Sequence, residues 1–212
     1  LRQRGRRQCG HLDVQNAPAL QKLVVGKGEI SFRRVRLDAL ASGGFQATYG
    51  MDVKVPFLDT TLSGDDVTLV STGTNEGSFD FSGLKPAADI VRDFGAVHLR
   101  VPQQSVLFGP ATAGWRVLTA PEITTDAEGK PFLSQTITVP NTSFGLNGRV
   151  FFNDQTADPV RVVPLSQMAQ LGSTPIELSS LRLDGGTTGN ERLKLNFFGE
   201  VKLSSALPGS PV

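Results

Sequence analysis

The chain has 212 residues, 39% of them hydrophobic and 19% charged, with a formal net charge of +1. That length admits one large β domain or two small ones, and the composition excludes an intrinsically disordered chain. No window approaches about 18 uninterrupted apolar residues, so the sequence offers no candidate membrane-spanning helix.

The charge is unevenly placed. Arg2, Arg4, Arg6 and Arg7 give the first 8 residues a charge of +4, and the remainder carries −3. Such an arm suits contact with nucleic acid or another anionic partner, and it equally suits a solubilising tail. The rest of the chain is too near neutrality to attract nucleic acid or an anionic membrane in general. The chain opens at Leu1 without the apolar core of a signal peptide, as a processed product would. Cys9 is the one cysteine, so stability must rest on packing rather than on an intrachain disulfide. It reads as a plain surface thiol, because the Arg-Arg-Gln before it lacks the small apolar residues of a lipid-attachment site. The 13 Phe against one Tyr and one Trp supply buried area without a polar handle, which suits a core.

In chain order, residues 1–20 read as the arm, and residues 23–25 as a first short strand broken by Gly26 and Gly28. Residues 29–37 resume as a strand, but Ile30 and Phe32 share one parity while Val35 and Leu37 share the other. That slip at Arg33-Arg34 predicts a β-bulge. Residues 45–57 are the strongest signal. Phe45, Ala47, Tyr49, Met51, Val53, Val55 and Phe57 alternate with Gln46, Thr48, Gly50, Asp52, Lys54 and Pro56. Thirteen residues of period two fit a strand with one buried face and no helix. The run exceeds the usual strand length, so a bend near Gly50, or sharing between two sheets, is expected.

Residues 58–66 read as a loop and 67–70 as a short strand, with a turn at 71–77 and a strand carrying Phe79 and Phe81. Residues 84–94 show Leu84, Ala87, Ala88, Val91 and Phe94 at helical spacing, with Pro86 early and Gly95 at the end, and predict a short capping helix. Val97, Leu99 and Val101 alternate with His98 and Arg100. Strands follow at 106–108 and 115–118, a hairpin-type turn at 124–131, and a strand around Ile137 and Val139. Residues 144–152 predict a hairpin turning at Asn147-Gly148. Residues 160–163 continue the pattern, and 164–172, between Pro164 and Gly172, predict a second short helix. Strands at 176–183 and 192–203 close the domain, the last with Leu193, Leu195 and Phe197 inward and Lys194 and Asn196 outward.

About a dozen short strands at this spacing predict an all-β, antiparallel β-sandwich, jelly-roll or fibronectin-like, with one or two short capping helices. The domain spans 21–204, with a second boundary available near 109–114 and a loose tail at 205–212.

Chemical motifs are sparse. The only histidines are His11, in the arm, and His98, on the polar face of a strand. Neither a Gly-x-Ser-x-Gly elbow nor a phosphate-cradling Gly pattern occurs. Three carboxylate clusters have oxygen ligands of the kind that hold Ca²⁺: Asp65 with Asp66, Asp126 with Glu128, and Asn153 with Asp154 and Asp158. None has the spacing of an EF-hand, and solvated turn residues are the plainer reading of each. No catalytic residue and no cofactor is expected.

The stretch 48–73 resembles the centre of the water-stress and hypersensitive-response domain of late-embryogenesis-abundant proteins. Val53, Val55, Pro56, Phe57, Leu62, Gly64, Val67 and Leu69 stand in similar places. The chain departs from that family at Lys54-Val55-Pro56-Phe57, which lacks the Asn before the Pro. The resemblance implies a fibronectin-like sandwich in an envelope or stress setting, with no catalytic site to transfer.

Four functions follow as expectations. The first is a non-enzymatic structural or binding protein of a cell surface or envelope. The second is a virion structural protein, of capsid or tail, with a basic arm. The third is a β protein that holds lipid or another apolar ligand between its sheets. A hydrolase built on loop carboxylates is a fourth. Protein partners or self-association suit the first three, and nucleic acid would be reached only through the arm.

Overall fold

The computed structural model describes residues 11–15, 22–40, 44–71, 77–111, 114–127, 130–133, 135–171, 174–186 and 193–201. Among these the chain is all-β and antiparallel, with one 3-10 turn at Gln103–Ser105 and no α-helix.

The strands, in chain order, are β1 (His11–Gln15), β2 (Leu23–Val25), β3 (Gly28–Ala39), β4 (Phe45–Val55), β5 (Thr60–Ser71), β6 (Gly77–Asp80), β7 (Ile90–Asp93), β8 (Val97–Val101) and β9 (Leu107–Ala111). They continue as β10 (Gly114–Thr119), β11 (Glu122–Ala127), β12 (Lys130–Pro131), β13 (Ile137–Thr138), β14 (Thr142–Gly145), β15 (Val150–Phe151), β16 (Val160–Leu171), β17 (Thr174–Asp184) and β18 (Lys194–Val201). The first sheet runs β1-β3-β4-β5-β6, with β2 also on β3. The second runs β15-β14-β10-β9, the third β12-β11-β8-β7 with β13 on β11, and the fourth β16-β17-β18. The sheets are open, and none closes into a barrel.

Period two decides the faces. Along β4, Ala47, Met51, Val53 and Val55 are buried, while Lys54 is exposed. The register of β3 on β4 slips between Phe32 and Arg34, where the change of parity predicts it. On the other side of β4, Tyr49 pairs with Val67 but Met51 pairs with Gly64, so β5 carries the extra residue there. Gly50 sits between the two bulges. A side chain at this position would press on Asp65 Oδ1 at 3.2 Å and Arg34 Cβ at 3.3 Å. Bulges bend their strands, so the long central ribbon curves at this point.

A single hydrophobic cluster draws on all four sheets, from Met51 and Val53 through Val117 and Phe144 to Leu99, Ile123, Leu181 and Leu183. Each such side chain, fully buried, contributes about 1.5–3 kcal/mol. One carbonyl ties the sheets together: Leu146 O accepts both Lys27 N and Gly28 N at 2.9 Å, and Leu146 N donates to Trp115 O at 2.9 Å. The hairpin that presents Leu146 turns at Asn147-Gly148, with Gly148 at φ 85° and Gly148 N donating to Gly145 O.

Four expectations are corrected. Residues 84–94 are not a helix: Lys85 bridges Ser63 through two backbone bonds, and the segment ends in β7. The supposed helical face is not the buried one, since Val91 is 60% exposed and Phe94 43%, while Ile90 is buried. Residues 164–172 are not a helix either, because Pro164 lies inside β16. That strand is the sheet's edge, where the missing N–H of proline costs no ladder bond, and its register slips between Pro164 and Gln167. Residues 60–66 belong to β5 rather than to a loop, and the true turn is confined to 56–59. Finally, residues 11–15 of the expected arm are β1, docked on β3 from His11↔Asp38 to Gln15↔Arg34. The turn expected at 124–131 tightens into the β11–β12 hairpin, with Asp126 opposite Pro131. On either side of the boundary considered at 109–114, β9 (Leu107–Ala111) and β10 (Gly114–Thr119) pair antiparallel.

Candidate functional site

Apolar side chains with room around them lie between the first and second sheets, while a polar hollow of about 280 Å³ on the first sheet is lined by Arg34, Arg36, Asp38, Asp65 and Asp66. β6 and the residues beyond it send Phe79 and Phe81 to one face, two positions apart as a strand requires. From the β9–β10 hairpin, Phe108 and Trp115 come diagonally opposite each other, because Phe108 pairs with Val117 and Trp115 with Pro110. Diagonal neighbours on one face are within reach of aromatic rings. Phe108 and Trp115 stack at 5.5 Å and 16°. Phe81 meets both edge-on, Phe108 at 5.6 Å and 86°, Trp115 at 5.4 Å and 88°. Phe79 lies flat on Phe81 at 5.4 Å and 7°.

Behind these rings is a cavity of about 210 Å³, completed by Leu23, Ile30, Phe32, Tyr49, Met51 and Val67. In front of them is an open cleft of about 630 Å³ that runs from Gly77 to Arg116. Phe79, Phe81, Phe108 and Trp115 line both. The rim exposes large apolar groups: Phe79 is 54% exposed, Leu107 52% and Leu23 53%.

Two charged residues, Asp80 and Arg116, line the cleft. Asp80 is exposed beside Phe79, and its hydrogen bonds from the Ser82 side chain and backbone N–H hold its carboxyl below the usual range. Arg116 is clamped by Asp154, Nε to Oδ1 and Nη2 to Oδ2 both at 2.6 Å, and Nη1 donates to Gly109 O at 3.3 Å. Both partners are about 15% exposed. The Arg116 guanidinium holds the Asp154 carboxyl below its ordinary range. The site is therefore a pair of largely apolar spaces joined by ring faces and edges, with Asp80 and Arg116 as the charged residues of the cleft lining.

Of the carboxylates singled out in the sequence, Asp154 stands at the cleft on Arg116, and the others described lie elsewhere. Asp65 and Asp66 lie in the β5 bulge, not in a turn, and Asp65 pairs with Arg33 at 2.9 Å, which also reaches Asp52 at 3.3 Å. Asp126 accepts from His98 Nε2 at 3.1 Å, and Asp93 takes His98 Nδ1 at 2.6 Å. These two carboxylates, Asp93 first, raise the His98 imidazole above its ordinary value. Asn153 and Asp158 accept the backbone N–H groups of Gln155 and Val160, as turn residues do. Among the described residues no group of three or more His, Cys, Asp or Glu side chains converges as a metal site would need. Glu128, Cys9 and the arginines Arg2, Arg4, Arg6 and Arg7 lie outside the described residues.

Sequence reasoning assigns the Phe surplus to the core or to an apolar ligand without naming residues. The signal that would have found the cleft is Phe79 and Phe81 beside Trp115, but their meeting depends on which sheets pack together. No family model, curated protein or solved structure matches the chain.

Proposed function

We propose that the protein is a non-enzymatic binding protein, and that the cleft between its first and second sheets takes a flat apolar group. The observation that carries this reading is the sharing of four aromatic rings by an inner cavity and an open outer cleft. Small-molecule sites are typically apolar concavities of about 300–1,000 Å³ with a few polar groups at the margin, and the outer cleft falls in that range. Exposed Phe79 and Leu107 on the lining of the outer cleft are apolar groups of the kind that mark a contact surface. The non-enzymatic part rests on the lining of the outer cleft, whose ionisable side chains are Asp80 and Arg116, the latter held by Asp154.

Trp115 is the single tryptophan and lies in the cleft, so its emission reports occupancy directly. Titration with 1-anilinonaphthalene-8-sulfonate should give saturable dye fluorescence with a matching change at Trp115. Phe79→Ala should weaken that binding with little loss of stability. Dye binding that is non-saturable, or that leaves Trp115 emission unchanged, overturns the proposal.

A further inference from the structure

The edges of the sheets are treated unequally. Among the described residues the edge strands β1, β6, β7, β12 and β15 are 5 residues long or shorter. The edge strand β9 carries Pro110, and β16 carries Pro164 and a register slip. Short strands, prolines and bulges are the usual means of keeping an edge from pairing with another chain. The edge strand β18, KLNFFGEV, is longer than the short edges and free of proline: it is 8 residues long and continuous in register from Lys194 to Phe198, and the slip that follows, between Phe198 and Gly199, leaves its extra residue, Ser179, on β17 rather than on β18.

The side-chain pattern of β18 is self-complementary. Its centre is Phe197, with Lys194 three residues before and Glu200 three residues after. An antiparallel copy centred on the same residue sets Lys194 opposite Glu200 of the other chain, twice. Directly opposed residues share a face, and Lys194 and Glu200 are both exposed. Within the chain, Glu200 stands opposite Glu177 of β17. The incoming lysine places a cation beside these two acids. Phe198, on the outer face and 52% exposed, comes diagonal to its counterpart, within reach for two rings. On the inner face the two Phe197 rings oppose each other at the axis.

Among the described residues no strand pairs with the outer side of β18. From that edge and this charge symmetry we infer that β18 is a self-association strand: two copies of the chain join β18 to β18 antiparallel about Phe197, making one continuous six-stranded sheet. The contact is isologous and closes on itself, so the assembly stops at two. The aromatic cleft plays no part in it.

Light scattering after size exclusion tests this on the full chain. The native protein should give twice 22.6 kDa at micromolar concentration. Lys194→Glu and Glu200→Lys each place like charges across the axis twice, and each should weaken the dimer roughly tenfold or more. Mixing the two variants restores both opposite-charge pairs, so the mixture should recover the dimer mass, as should the double variant K194E/E200K alone. Both positions are on the surface, so folding is preserved. A native monomer at high micromolar concentration overturns the inference. So does a dimer that neither single variant weakens, or a mixture that stays monomeric.

Discussion

Phe81 meets Trp115 edge-to-face at 5.4 Å and 88°, and this contact joins the end of β6 to β10 across the gap between two sheets. A perpendicular ring pair sets the positive edge of one against the negative face of the other, which fixes spacing as well as adding attraction. Phe81 also touches Phe108 and Phe79, so it is the hub of the cleft wall. Phe81→Ala should therefore destabilise by about 3 kcal/mol, the low end for aromatic truncation because the ring is only partly buried. It should also merge the inner cavity with the outer cleft and abolish any matched Trp115 response to the dye. Urea unfolding followed at Trp115 measures the first; a loss below about 1 kcal/mol would deny Phe81 this role.

Asp93, His98 and Asp126 join β7, β8 and β11 on the outer face of the third sheet. Donating from both ring nitrogens requires the imidazolium form. The folded value of His98 is raised, so its contribution is complete below the unfolded value of about 6.5 and is lost as pH rises through the folded value. Urea midpoints taken from mildly acidic to mildly alkaline pH should fall more for the native chain than for His98→Gln. Equal slopes would mean the clamp contributes nothing.

Asp154 and Arg116 form the best-shielded ion pair described, each about 15% exposed. Asp154→Asn keeps the shape but leaves the guanidinium without its counter-charge, at a cost of about 3 kcal/mol. The sign with pH is opposite to that of His98. The Asp154 value is lowered, so its stabilisation is present above the unfolded value of about 3.9 and disappears as pH falls through the folded one. Acid unfolding monitored by circular dichroism should be shallower in the variant than in the native chain.

Gly26 occupies φ +62° against the second sheet, where an added Cβ would lie 2.8 Å from Asn147 Cα. Both the left-handed backbone and the close approach to main chain forbid a side chain here. Gly26→Ala should cost more than about 1 kcal/mol and loosen the bonds from Lys27 and Gly28 to Leu146. Amide exchange at Lys27 and Gly28 should quicken before global unfolding. Gly95, also at positive φ but with open space around it, is the control that suffers only the conformational strain.

Much of the fold was legible wherever alternation ran unbroken. The burial of Met51, Val53 and Val55, the bulge beside Arg33, the turn at Asn147-Gly148 and the inward set Leu193, Leu195 and Phe197 all follow from side-chain parity and turn chemistry. Legibility failed where apolar residues fell by accident at three- and four-residue spacing. Leu165, Met168 and Leu171 imitate a helix stripe, yet in β16 Leu165 is half-buried and Met168 is 52% exposed, because the strand must alternate. Leu84 and Val91 imitate one too, but the backbone bonds at Lys85 are made with Ser63. The cleft left only a compositional trace, an excess of Phe.

What the residues determined unaided was the kind of backbone and which face of each ribbon turns from water, since a period of two is a local property of neighbouring side chains. What awaited tertiary structure was every association between distant segments: Trp115 with Phe81, Arg116 with Asp154, His98 with Asp126. Sheet hydrogen bonds and ion pairs are satisfied equally well by many partners along a chain. The choice among them is made by the shared core, which only the assembled sheets possess.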